Sequence, residues 1–300
     1  MTAILLIGSK GQVGQELHLR LGAVGSVVAV DRTQLDLTNP EAIRQCIRET
    51  QPAIIVNAAA YTAVDRAESD PETAYAVNAT APMVMAEEAQ LLGTLLIHLS
   101  TDYVFSGVNH TPYVESDVPA PTNVYGVSKL AGENAIRQSC PNHAIVRTAW
   151  VYGSHGKGNF AKTMLRLGAE REEIRVVADQ IGTPTFAGDI ADAIVRLIQV
   201  IAPGPSLDKT LLGTYHFTNS GMASWYDFAV AIFEEAKRIG FPLRLDRVIP
   251  ITTAEYPTTA SRPAYSVLSC RKINAALGTI PPHWRQSLRT MLLDLYSQTC

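Results

Sequence analysis

The chain is poor in cysteine, and no two of its four cysteines stand as Cys-x-x-Cys. Cys46, Cys140, Cys270 and Cys300 are scattered, so neither a zinc knuckle nor a disulfide framework is signalled. No stretch approaches the ~20 apolar residues of a membrane span. Charge of one sign is also lacking. The formal net charge of -3 gives no reason to expect nucleic acid or an anionic membrane as partner. The start, Met1-Thr2-Ala3-Ile4-Leu5-Leu6-Ile7-Gly8, has no basic leader and no cleavage site of a signal peptide. Internal repeats, low-complexity tracts and flexible linkers are missing too. These absences leave a soluble cytoplasmic protein as the expectation, long enough for one large core or two smaller ones.

What is present is an alternation of apolar strands and helical stretches. Strands are expected at Ala3-Ile7, Ser26-Val30, Ala53-Asn57, Leu95-Ser100 and Ala144-Arg147. Several are nearly continuous apolar runs, as in strands covered on both faces of a parallel sheet. Helices are expected at Gln12-Leu21, Pro40-Thr50, Pro71-Leu92 and Tyr125-Ser139. Repeated βα units predict an α/β fold, a Rossmann-type doubly wound parallel sheet. After Trp150 the pattern loosens. Helices are expected at Ile190-Ile201 and Trp225-Ile239, the latter capped by Ser224 and stopped by Gly240, and a strand at Thr214-Thr218. The stretch from Pro250 to Pro263 reads as an irregular loop of the kind that carries ligand contacts. A last helix starts near Pro282.

Gly8-Ser9-Lys10-Gly11-Gln12-Val13-Gly14 has the form G-x-x-G-x-x-G, after the first strand and opening the first helix. Glycines there permit a tight turn and let the backbone approach a pyrophosphate at the helix N-terminus. The second strand ends in Asp31-Arg32. Asp31 can hydrogen-bond ribose hydroxyls and favours NAD, while Arg32 can pair with a 2′-phosphate and favours NADP. Both cofactors are therefore expected to serve. Downstream stands Tyr125-Gly126-Val127-Ser128-Lys129. Residues four apart share one helix face. An ammonium beside a phenol lowers the tyrosine pKa from about 10, giving an acid/base near neutrality.

The glycine turn, Asn57-Ala58-Ala59-Ala60, Ser100-Thr101-Asp102-Tyr103-Val104-Phe105 and Tyr125-x-x-x-Lys129 together resemble the extended short-chain dehydrogenase/reductase family. Within it, the chain resembles the dTDP-4-dehydrorhamnose reductases. Val146-Arg147-Thr148-Ala149-Trp150-Val151-Tyr152, Asn159-Phe160-Ala161-Lys162-Thr163-Met164-Leu165, Asp179-Gln180-Ile181-Gly182-Thr183-Pro184-Thr185 and Arg262-Pro263 extend the resemblance over essentially the whole chain. It implies reduction of the 4-keto group of a dTDP-sugar by NADPH or NADH, on the way to polysaccharide. Tyr125 would supply the proton, Lys129 would hold the nicotinamide ribose, and Thr101 would polarise the carbonyl. Gly8, Gly11, Gln12, Val13, Gly14, Asp31, Arg32, Asp36, Leu37, Ala58, Ala59, Ala60, Tyr61, Thr62 and Ser100 would line the cofactor. Asp102, Val64 and Trp150 would touch the sugar or nucleotide, and Arg262 its diphosphate. Asn78 resembles the family's helix asparagine. The implied division is 1–149 with 186–218 returning as the dinucleotide unit. A smaller C-terminal α/β substrate unit takes 150–185 and 219–300.

Related 4,6-dehydratases carry Thr-Asp-Glu where this chain has Thr101-Asp102-Tyr103, and Tyr103 removes their second carboxylate. Epimerases usually open with Gly-x-x-Gly-Phe-Ile-Gly, unlike Gly11-Gln12-Val13-Gly14 here. Simple reduction with an exchangeable cofactor is favoured. Some members of the family hold magnesium between two subunits through glutamates. Glu16 matches one position, but Gly188-Asp189 offers no glutamate and Asp294 stands for the third. No metal site is therefore expected, with Glu16 kept as a magnesium candidate in a monomer or homodimer. Two alternatives stay open. One is a 4-ketoreductase of another nucleotide deoxysugar. The other is a non-catalytic NADP-binding subunit like that of methionine adenosyltransferase.

Overall fold

The computed structural model describes residues 2–204 and 206–298; Cys300 lies outside them. The first half runs β1 (Ala3–Ile7), α1 (Gln12–Leu21), β2 (Ser26–Val30), α2 (Pro40–Thr50), β3 (Ile54–Asn57), α3 (Val64–Ala67), α4 (Pro71–Tyr75), α5 (Ala81–Leu92), β4 (Leu95–Thr101), α6 (Val124–Ser139) and β5 (His143–Thr148). The second half runs β6 (Val151–Tyr152), α7 (Phe160–Glu170), β7 (Glu173–Val177), β8 (Ile181–Gly182), β9 (Thr185–Phe186), α8 (Ala187–Ile201), β10 (Gly213–His216), β11 (Ala223–Ser224), α9 (Trp225–Ile239), β12 (Arg247–Ile251), α10 (Arg271–Leu277) and α11 (Trp284–Ser297).

Six parallel strands stand in the order β10-β5-β4-β3-β1-β2. Successive strand residues point to opposite faces. Ile4 and Leu6 therefore join one core with Leu17 of α1 and Ile190 and Ile194 of α8. Leu5 and Ile7 join the other with Ile43 and Ile47 of α2 and Met85 of α5. A parallel sheet so covered needs apolar residues on both faces, which is why β3 and β4 are buried along their whole length. The connections leave β1 in one direction and β3 in the other. The crevice between their C-terminal ends is the switch point where ligands bind in such sheets.

The expected helix Pro71-Leu92 is not uniform. Between α4 and α5, residues Ala76–Thr80 form a π turn, closed by the Ala81 N–H donating to the Ala76 carbonyl. Pro82 explains it: proline has no N–H to offer the Asn78 carbonyl and its ring would collide with it. The displaced Asn78 oxygen lies where α6 passes closest, 2.1 Å from where a Cβ on Gly132 would stand.

A third core gathers α7, β7, α9, β12 and α11 around Phe228, Ile232, Phe233, Trp284 and Met291. α7 buries Ala161, Met164, Leu165 and Gly168 at helical spacing, a signal present in the sequence, whereas β7 and β12, of five residues each, are too short to show one. α7, β7 and α10 had no expected counterpart, and β12 takes the first residues of the stretch expected to be irregular. β7 and β12 pair in parallel, Ile174 opposite Val248. Ser224 caps α9 through a reciprocal capping box with Asp227, and Gly240 ends it at φ +106°.

Candidate active site

The glycine turn is built for close approach. Gly8 has φ +87°, and a Cβ there would stand 2.7 Å from the Ala59 nitrogen. On Gly14 a Cβ would stand 2.0 Å from the Gly8 oxygen. Gly11 opens α1 with extended backbone, leaving the first N–H groups of the helix facing the crevice. This cradle fits a dinucleotide pyrophosphate. Val13 is buried in the core, so it can offer only backbone to a ligand. The Gln12 side chain accepts from Asn159 Nδ2 at 2.7 Å. Asn159 also caps α7 by accepting the Lys162 N–H, so the turn is tied to the second half of the chain.

At the end of β2, the Asp31 carboxylate meets Lys10 Nζ at 2.5 Å. It also accepts from Thr33 N at 2.7 Å and Thr33 Oγ1 at 2.6 Å. Lys10 foremost, then Thr33, holds the Asp31 carboxyl well below the usual range. Arg32 is exposed beside it. Asp36 is fixed in a turn by accepting the Thr38 N–H and hydroxyl, with Leu37 packed on the core behind. Ala58, Ala59, Ala60, Tyr61 and Thr62 leave β3 next to Gly8. Asn78 fixes that segment. Its Oδ1 accepts the Tyr61 N–H at 2.9 Å, and its Nδ2 donates to the Tyr61 carbonyl and to Ser128 Oγ of α6.

Thr101 ends β4, and Tyr125 and Lys129 lie on α6, all buried. Asn123 caps α6 through the Gly126 N–H and donates to the Ser261 carbonyl. It thus brings the loop of Arg262 to this corner. Burial pushes the Tyr125 phenol up to about 12, with the neighbouring Thr101 hydroxyl opposing and Asp102 adding to the rise. The expected lowering by Lys129 is not found in the chain by itself. Lys129 Nζ is turned to β4, 2.7 Å from the Leu99 carbonyl and 3.1 Å from His98 Nε2. Burial lowers the Lys129 pKa to about 8, against the pull of Glu133. Burial also raises Asp102 to about 6. Thr148 Oγ1 and Asp102 Oδ2 are buried without a close hydrogen-bond partner among the described residues, though Ser266 stands near enough to Asp102 to oppose its rise. Ser100 Oγ also lacks a close partner but faces the Glu133 carboxyl, whose pKa it helps to lower. All three sit at the C-terminal ends of β4 and β5, where Thr101 and Thr148 are register partners. Orphaned polar atoms at one place mark where a polar ligand completes the bonding.

Trp150 follows β5 in the left-handed region, φ +47°, a strained setting for a bulky residue. Its ring stacks on Trp225 with centroids 3.5 Å apart, and Gly182 passes beneath, where a Cβ would stand 2.4 Å from the indole. Trp225 was not anticipated; only the fold places it there. Val64 opens α3, and its neighbour Asp65 binds the Arg262 guanidinium through both oxygens, at 3.1 and 2.5 Å. Arg262 is thus not free but anchored to α3 and to the Ala260 carbonyl. Glu16 is paired with Arg20 at 2.6 Å, and Asp189 accepts from Asn219 and Ser287. Among the described residues, no three acidic, histidine or cysteine side chains cluster to hold a metal ion.

The parallel sheet and its glycine cradle, with Thr101, Tyr125 and Lys129 at the ends of β4 and α6, have the layout of the extended short-chain reductase class that the sequence resembles. Residues 1–297 match the family model described as RmlD substrate binding domain, and the chain belongs to that family. It is 45% identical to the dTDP-4-dehydrorhamnose reductase of Escherichia coli K12 over 99% of both chains. It is 39% identical to the crystal structure of the Bacillus anthracis dTDP-4-dehydrorhamnose reductase in complex with NADP. That match has a TM-score of 0.89, covering 98% of this chain and 100% of that one. The Thermus thermophilus UDP-glucose 4-epimerase, 21% identical with a TM-score of 0.80 over 100% of both chains, shares the fold.

Proposed function

We propose that the chain reduces the 4-keto group of dTDP-4-dehydro-L-rhamnose to give dTDP-L-rhamnose, using NADPH or NADH. The observation that carries this reading is the meeting of Thr101, Tyr125 and orphaned polar atoms at one crevice beside the glycine cradle. When bound, a reduced nicotinamide supplies the hydride. Tyr125 gives its hydroxyl proton to the sugar O4 as negative charge builds there. Thr101 donates to the same oxygen and steadies that charge. Lys129 holds the nicotinamide ribose, and its ammonium then biases the phenol downward from its resting value. Arg262, steadied by Asp65, faces the diphosphate, and the Trp150–Trp225 stack walls the sugar side. Residues 1–149 with 186–218 take the dinucleotide, and 150–185 with 219–300 take the sugar nucleotide. The protein works as a cytoplasmic monomer or homodimer, in keeping with its biosynthetic relatives. None of the described helices is long and apolar enough to cross a membrane. The test is NADPH oxidation with dTDP-4-dehydro-L-rhamnose and NMR of the product. Turnover to dTDP-L-rhamnose is expected. Cofactor binding without turnover on this or related 4-keto sugar nucleotides rejects the reductase.

Lys10 makes a sharper cofactor prediction than Arg32. It neutralises Asp31, the carboxylate that would otherwise repel a 2′-phosphate. Lys10→Ala should raise the KM for NADPH about tenfold and leave that for NADH within about twofold, on the scale of one charge-assisted hydrogen bond. The NADPH to NADH ratio of kcat/KM in steady state reads it, and an unchanged ratio rejects the role.

A further inference from the structure

A line of side chains crosses beneath the site and joins its two ends. Ala59, packed against Gly8, donates its N–H to Asn57 Oδ1 at 3.1 Å. Asn57 Nδ2 lies 3.1 Å from His98 Nδ1, and His98 Nε2 lies 3.1 Å from Lys129 Nζ. Asn57 and His98 are register partners on β3 and β4, and both are buried, as is Lys129. Burial foremost, then the Lys129 charge, lowers the His98 pKa well below its ordinary value, so the ring is neutral. A neutral imidazole has one N–H and one lone pair. Here both ring nitrogens face a nitrogen, so two arrangements satisfy the line. In the first, Asn57 donates to Nδ1, and Nε2–H donates to a neutral Lys129 amine. In the second, Lys129 is an ammonium donating to Nε2, and the ring proton sits on Nδ1. Asn57 must then turn its oxygen to that proton and release the Ala59 N–H.

We propose that His98 is a positioning residue whose single ring proton couples the charge on Lys129 to the grip of Asn57 on Ala59. This rests on Lys129 holding the nicotinamide ribose, as proposed above. A dinucleotide that favours the ammonium also finds the Ala59 N–H, beside the phosphate cradle, freed as a donor. Lys129 takes one proton from solvent, and the ring exchanges its Nε2 proton for one on Nδ1. Other charges near the pair are already engaged. Glu133 of α6 is held by Arg147 of β5 and by Arg137, and Tyr125 faces Thr101 and Asp102.

The experiment is the pH dependence of NADPH affinity, by fluorescence titration from about pH 6 to 10, in wild type, Lys129→Met, His98→Gln and His98→Phe. Wild-type affinity should fall as Lys129 loses its proton with rising pH. In His98→Gln the introduced amide can always present an oxygen to the ammonium, so that fall should move up by about one pH unit, a tenfold change in the protonation constant. Phenylalanine offers no acceptor, and in His98→Phe the fall should move down by a similar amount. A merely structural histidine would weaken binding without displacing the limb in opposite directions. Limbs within about 0.3 unit of wild type, or displaced the same way, overturn the proposal. If His98→Phe does not fold, the His98→Gln arm decides alone. Lys129→Met separates the two readings. If it binds NADPH with the wild-type pH dependence, the ribose assignment itself fails. If it abolishes the limb while the His98 variants leave it in place, only the coupling fails.

Discussion

Tyr125→Phe should lower kcat by about three orders of magnitude, within the range of a positioned general acid. At about 1.4 kcal/mol per decade this is some 4 kcal/mol of transition-state stabilisation. The ring itself packs edge-on against Tyr103, with centroids 5.5 Å apart, and phenylalanine keeps that contact. Thermal stability and NADPH affinity should therefore stay near wild type. A loss confined to kcat, with KM held, identifies an interaction made only in the transition state. The pH profile gives an independent readout. Reduction needs the protonated phenol, so wild-type kcat should be flat near neutrality and fall as pH rises through the Tyr125 pKa of the ternary complex. In the protein alone that pKa is pushed up to about 12 by burial, so the phenol is fully protonated at neutral pH. The alkaline limb should lie below that value once Lys129 carries its charge at the ribose, and it should vanish in Tyr125→Phe. Turnover within tenfold of wild type would remove Tyr125 from the chemistry.

Much of this was legible in the sequence because it is local. The glycine turn, the bounds of β1, α1, β2 and α2, and the single face shared by Tyr125 and Lys129 follow from spacing alone. What could not be read depends on which strands become neighbours. Lys129 turns to His98 because α6 lies over β4, and no periodicity relates those positions. The Lys129 effect on Tyr125 was expected from sequence spacing, but neighbours on a helix face do not fix where a long flexible side chain ends. Lys10 and Asp31 meet because β1 and β2 end side by side. Asp65 and Arg262 stand 197 positions apart, so a basic residue in a proline-rich loop gave no sign of its carboxylate partner. β7 and β12 are short strands without long periodicity, and a two-stranded ladder draws its definition from the helices that cover it. Pro82 was visible, but its effect appears only where Gly132 lets the displaced Asn78 carbonyl come close.

The second large effect is on stability and lies behind the site. Glu133→Leu should destabilise the protein by about 3–5 kcal/mol, the cost of stranding a buried charge. Glu133 is fully buried on α6 and binds Arg147 through two hydrogen bonds, at 2.9 and 2.7 Å. Arg147 is equally buried, with its guanidinium 5.1 Å from the Phe105 ring centroid. The nearby His216 ring cannot replace Glu133, because an imidazole carries no negative charge in either protonation state. Burial foremost, then the Arg147 charge, lowers it to about 3, so it is neutral at pH 7. Burial pushes the Glu133 carboxyl up, but the Arg147 hydrogen bonds and charge outweigh it and its pKa ends below the ordinary value. The pair therefore contributes stability that is present above the unfolded carboxyl pKa and lost as pH falls through the folded one. Urea unfolding at pH 7 reads the loss, and the gap between variant and wild type should narrow towards acid pH. Glu133→Leu combined with Arg147→Met should recover most of it, because an apolar pair of similar volume leaves no charge to strand. If the single variant costs less than about 1 kcal/mol, or the double variant costs the sum of the two singles, the charges are not acting as a coupled buried pair.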